Sequence, residues 1–157
     1  MMNKRLIISV LLLVASVSGF GQFTENGYKD LKLGNTPSET KKVVNFKLDG
    51  PISNVVYDGL DLELYFMELD QETLYYIKTN SPNAKLEGVS QNLMGKKLKE
   101  IQSILGDKLT TFDADGPSAQ YYVYNRNKAA EDNYMTSCVL DFNEQGVLQS
   151  IMAIYNP

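Results

Sequence analysis

The chain has 157 residues, no histidine, one cysteine and a formal net charge of −4, which is long enough for one domain with a sizeable core. Without histidine or a second cysteine, no Ser-His or Cys-His nucleophile pair can be built, and no His-based or multi-Cys zinc site either. An acidic chain is repelled by the phosphates of nucleic acid and of anionic membranes, so no nucleic acid is expected as a partner, and the basic surface of another protein fits better.

Residues 1–21 read as a signal peptide. Lys4 and Arg5 supply a basic start, Leu6 to Val17 an apolar run, and Gly19-Phe20-Gly21 the small residues ahead of a cleavage point before Gln22. At about 12 residues the run falls short of the roughly 20 that span a bilayer. Cleavage is therefore expected, with no stable membrane insertion afterwards and a periplasmic or secreted product. No cysteine follows the run, which disfavours a lipoprotein, and losing Lys4 and Arg5 takes the net charge from −4 to −6.

Residues 22–30 are polar and read as a lead-in to the fold. Leu31 and Leu33 precede Gly34, and Thr36 is placed to cap a helix with Pro37 at its first position and Glu39 completing a capping box. The pattern predicts a helix over 36–45. A short β run, Asn54 to Tyr57, then meets the hairpin signal Asp58-Gly59. Beyond it Leu60, Leu62, Leu64 and Phe66 alternate with Asp61, Glu63, Tyr65 and Met67, the period of a strand with one apolar face. A turn near Asp70-Gln71 leads to a strand over Thr73–Thr79, and Ser81-Pro82-Asn83 closes this first unit.

Gly88 to Met94 leads into a second unit. Leu98, Ile101, Ile104 and Leu105 form a helical stripe ended by Gly106. Strands are predicted over Ala119–Asn125, Tyr134–Asn143 and Val147–Tyr155, with Asn143-Glu144-Gln145-Gly146 as the last turn. The two units repeat one another: Gly34 matches Gly95, Leu64 and Phe66 match Leu140 and Phe142, and Leu74 and Ile77 match Leu148 and Ile151. The offset grows from 61 residues to about 75, so the second copy carries extra loop. That extra sequence falls at Asp113-Ala114-Asp115-Gly116-Pro117 and over 125–133, and loops that lengthen in one copy of a repeat commonly bind.

A helix introduced by Leu-x-Leu-Gly or Met-Gly, followed by a meander ending in Phe-x-x-x-Gly-x-Leu-x-x-Ile, resembles the tandem-repeat fold of the β-lactamase inhibitory proteins. It is also similar to envelope lipoproteins of the SmpA/OmlA type. The resemblance covers residues 27–155 and implies an α+β fold: two tandem helix-plus-antiparallel-meander repeats, 27–82 and 88–157, forming one curved sheet with helices on one face, within a single domain over 22–157. It also implies an aromatic-lined face that grips a partner protein. The chain lacks the paired disulfides and tryptophans of those inhibitors, so β-lactamase itself is not implied as the target.

Candidate contact residues follow from that expectation. Tyr65, on the polar side of its strand, and Tyr122 and Tyr124, which share a face, are candidates for an exposed aromatic surface, because tyrosine joins a rigid apolar ring to a polar tip. Asp58, Asp61, Asp113 and Asp115 could present carboxylates toward a basic cleft. Asp113 and Asp115 lack the further oxygen ligands of a calcium loop, and no motif singles out a carboxylate pair for glycoside hydrolysis. Cys138 alternates with Leu140 and Phe142 and reads as a small buried residue, while Lys96, Lys97 and Lys99 read as a solvated helix face. The expectation is a non-enzymatic, cofactor-free and metal-free inhibitor that binds a toxin or enzyme, as a periplasmic immunity protein does. An envelope assembly factor and a carrier of small apolar ligands are the alternatives.

Overall fold

A computed structural model describes residues 21–67, 72–111, 121–126 and 136–155. The expected leader up to residue 20, the turn at Asp70-Gln71, and the extended loop that carries Asp113 and Asp115 lie outside the described residues, as does most of 125–133.

The described chain begins with three two-residue strands, β1 (Phe23–Thr24), β2 (Gly27–Tyr28) and β3 (Leu31–Lys32), which form a small antiparallel sheet. Phe23, Tyr28 and Leu31 are each 0% exposed and belong to the main core. The Phe23 amide donates to the Lys85 carbonyl at 2.8 Å, and the Glu87 amide donates to the Phe23 carbonyl at 2.9 Å, so β1 is tied to a distant loop. The polar lead-in read from the sequence is thus an anchored segment of the fold.

Helix α1 (Pro37–Lys41) starts as its sequence dictates. The Thr36 hydroxyl accepts from the Glu39 amide, and the Glu39 carboxylate accepts from the Thr36 amide at 2.8 Å. It stops at Lys41 instead of running to 45, because Val43 and Val44 are β-branched and a single capped turn does not propagate by itself. Val44 and Phe46 turn into the core instead.

Among the described residues seven strands make the second sheet. They are β4 (Ile52–Tyr57), β5 (Leu60–Met67), β6 (Thr73–Thr79), β7 (Leu109–Thr111), β8 (Tyr121–Tyr124), β9 (Thr136–Phe142) and β10 (Leu148–Tyr155), all antiparallel, in the spatial order β4-β5-β6-β10-β9-β8-β7. The last strand of the chain is therefore the middle strand of the sheet. Helix α2 (Leu98–Leu105) precedes β7 and buries Ile101 and Leu105. Leu62, Leu64, Ile77, Leu140 and Ile151 line the core face with 2% exposure or less, and each such side chain contributes about 1.5–3 kcal/mol on burial. Cys138 sits among them, and burial pushes its thiol far above the ordinary range, which leaves it unreactive.

The expected α+β class is corrected by this arrangement. Among the described residues 46% lie in strands and 14% in helix, and there are two sheets, of three and seven strands, in place of one sheet backed by helices. The physical reason is length: helices of five and eight residues bury little, whereas eight-residue strands such as β5 and β10 present whole apolar faces. The duplicated glycines do occupy matching backbone positions. Gly34 donates to the Leu74 carbonyl while the Leu74 amide donates to Asn35, and Gly95 donates to the Leu148 carbonyl while the Leu148 amide donates to Lys96. Both glycines have positive φ, 82° and 78°. No helix among the described residues is long and apolar enough to cross a membrane.

Candidate functional site

A strand exposes alternate residues on opposite faces, so the registers define what stands opposite the core. One row runs Asn54, Glu63, Lys78, Met152, Val139, Val123, Thr110 across the sheet, and the next runs Ile52, Tyr65, Tyr76, Ile154, Ser137. This outer face is open over β4 to β6. At β9 it is closed, since Ser137, Val139 and Asp141 are buried. There the Asp141 carboxylate accepts from Gln149 and Ser150 through one oxygen, while the other has no hydrogen-bond partner among the described residues.

Tyrosines gather around the open part, Tyr65 and Tyr76 on the face itself and Tyr75 and Tyr155 joined to them by ring contacts. Tyr65 and Tyr76, facing each other across β5 and β6, stack with centroids 5.1 Å apart and planes 16° from parallel. Tyr75 meets Tyr65 edge-on at 5.9 Å and Tyr155 at 6.5 Å. It gets there because the register slips between Tyr65 and Phe66 and Tyr75 becomes the unpaired bulge residue. All four rings are half-buried. The Tyr76 hydroxyl donates to the Glu63 carboxylate at 2.5 Å, and burial, followed by that carboxylate, raises its pKa well above the ordinary phenol range. Beside this cluster lies a groove of about 350 Å³ whose walls include Asn54, Val56, Asp61, Glu63, Lys78 and Asn80.

The sequence-predicted residues divide accordingly. Tyr65 and Asp61 stand on the open face, Asp61 at the groove. Tyr122 and Tyr124 are corrected: they are 9% and 5% exposed and point into the core. Tyr122 packs edge-on against Phe142 at 5.5 Å, and the Tyr124 hydroxyl donates to the Glu87 carbonyl at 2.8 Å. Asp113 and Asp115 lie outside the described residues. Asp58, partly exposed, is engaged within the chain. It pairs with Lys29 at 2.7 Å and accepts from the Tyr28 hydroxyl at 3.0 Å and the Gly21 amide at 2.8 Å. Tyr75, Tyr76 and Tyr155 were not among the residues singled out from sequence.

The Lys29–Asp58 clamp has a pH signature. The Lys29 ammonium holds the Asp58 carboxyl below the usual aspartate range and remains after cleavage before Gln22, which would take away the smaller contribution of the Gly21 amide. A carboxyl with a depressed folded-state pKa stabilises the native state above its unfolded value, and that contribution disappears as pH falls through the folded value. Loosening of the N-terminal strands is expected only below about pH 4. Amide exchange at Phe23 should accelerate there in the wild type, and at all pH values in Asp58→Asn. A wild-type exchange rate that follows only the intrinsic pH dependence would contradict the clamp.

Among the described residues no group of three or more Asp, Glu or Cys side chains is placed to hold a metal ion. The chain matches no protein-family model, no curated protein and no solved structure.

Proposed function

We propose that this chain is an exported protein-binding inhibitor, working in the manner of a periplasmic immunity protein that covers a secreted toxin. The observation that carries the reading is the half-exposed cluster of Tyr65, Tyr75, Tyr76 and Tyr155 beside an acidic groove. Large rings with polar tips, held rigid by one another, are the residues that anchor protein interfaces at low entropic cost. Asp61 and Glu63 next to them suit a basic partner surface and would speed its approach. The charged side chains of Asp61, Glu63 and Lys78 on the groove walls weigh against carriage of a small apolar ligand. The chain brings binding rather than catalysis to this role, since it contains no histidine and its one thiol is buried.

The test is affinity capture of the tagged protein from its own cell envelope, with bound proteins identified by mass spectrometry and then titrated. Tyr65→Ala and Tyr76→Ala should each weaken the identified complex by about 2 kcal/mol, roughly thirtyfold in Kd, with unchanged circular dichroism. Tyr122→Ala and Tyr124→Ala should instead lower the melting temperature. Recovery of envelope assembly proteins would favour the scaffold alternative, and recovery of the bait alone would count against both.

A further inference from the structure

Among the described residues strand β4 is an outer strand and pairs only with β5. Its residues, Ile52-Ser53-Asn54-Val55-Val56-Tyr57, include no charge and no proline, the devices that normally guard an exposed edge. The other outer strand, β7, is three residues long. The Phe66 amide donates to the Pro51 carbonyl at 2.8 Å. By the alternation of an antiparallel ladder, Ser53, Val55 and Tyr57 then bond to β5, and the main-chain groups of Ile52, Asn54 and Val56 aim outward. Ile52 and Val56 are 47% and 71% exposed, and with Asn54 they share the open face.

We propose that this edge pairs with β4 of a second copy, antiparallel, about a two-fold axis beside Asn54. The strand is self-complementary in that register: Ile52 of each copy faces Val56 of the other, and Asn54 faces Asn54. The outward N–H and C=O groups at these three positions meet their own equivalents as bonded pairs. A side-chain amide both donates and accepts, so Asn54 can bond to its image. Charge selects the occupant. Two copies of an acidic chain repel in general, and β4 is a stretch where they meet without opposing like charges; a basic strand would gain nothing from so neutral an edge. The result is an isologous dimer with one continuous sheet, in which both tyrosine clusters stand on the same face and the added strand walls the groove beside Asn54 and Val56. A contact this small gives a reversible, concentration-dependent dimer.

Sedimentation velocity of the purified protein from micromolar to near-millimolar concentration tests this. The wild type is expected to shift from monomer to dimer. Asn54→Lys and Asn54→Asp, at an exposed position and with circular dichroism confirming the fold, should each remain monomeric where the wild type is dimeric, because each sets like charges opposite one another. An equimolar mixture of the two variants should regain the dimer, an outcome specific to a residue that faces its own image. A wild type that is monomeric throughout, as expected if β4 instead receives a strand from a different protein, would overturn the proposal. So would a dimer indifferent to Asn54→Lys, or a mixture that fails to recover.

Discussion

Replacing Phe66 with alanine is expected to remove about 3–5 kcal/mol of folding stability, read as a lower denaturation midpoint with an unchanged slope. Phe66 is 1% exposed, and its ring stacks on Phe46 with centroids 5.4 Å apart and planes 12° from parallel. Phe46 lies on the segment that follows α1, so this stack joins the sheet to the chain that crosses beneath its β4 edge. A domain of this kind has only about 5–15 kcal/mol in total, so the substitution should remove a large part of it. Val56→Ala, at 71% exposure, is the control when measured at low concentration, where the protein is monomeric, and should change stability by no more than about 0.5 kcal/mol. A loss below about 1 kcal/mol for Phe66→Ala would mean that the stacked pair is not part of a tight core.

Gly27→Ala is expected to cost at least about 3 kcal/mol, beyond the ordinary price of a strained residue. Gly27 has φ of +141°, a region that side chains exclude. An added Cβ would stand 2.1 Å from the Leu31 carbonyl oxygen and 3.1 Å from its carbon, so the backbone of β2 or β3 must move. That motion would withdraw Tyr28 and Leu31 from the core. Hydrogen exchange provides the readout: the Phe23 and Glu87 amides, which depend on β1 staying in place, should exchange much faster, while Ile151 in β10 stays protected. Equal protection at all three positions would contradict this account of the N-terminal strands.

Local signals in the sequence carried much of the fold. The capping box at Thr36 and Glu39, the Asp58-Gly59 hairpin and the alternation in β5 are short-range devices, and each appears where its chemistry places it. The stripe at Leu98, Ile101 and Leu105 is equally local. What failed required knowledge of which face meets the core. In β8 the run Tyr121-Tyr122-Val123-Tyr124 is apolar at both parities, so alternation cannot say which pair is inside. The structure puts Tyr122 and Tyr124 inward and leaves Tyr121 at 41% exposure. Tyr75 was hidden for a related reason, because a bulge shifts the parity of β6 and only a cross-strand register reveals it.

The N-terminal sheet was illegible on other grounds. Two-residue strands have no period to detect, and Phe23, Tyr28 and Leu31 are scattered among polar neighbours. The fold class went astray because helix signals are conspicuous in sequence while buried area is not. A well-capped turn at Thr36 reads as strongly as a long helix, yet it yields five helical residues. The pairing of Asp58 with Lys29 was not legible, because an exposed hairpin acid looks the same whether it faces solvent or a lysine that lies far back along the chain.

The position of β10 sets the order in which this molecule can be completed. Ile151 pairs with Thr79 on one side and Leu140 on the other, so β10, which follows every other described strand along the chain, is the bridge between both halves. Until it is delivered, β6 and β9 each expose a bare ladder edge, and a nascent chain lacking its tail has two open half-sheets. The two half-sheets therefore become one continuous sheet only when β10 has inserted between them.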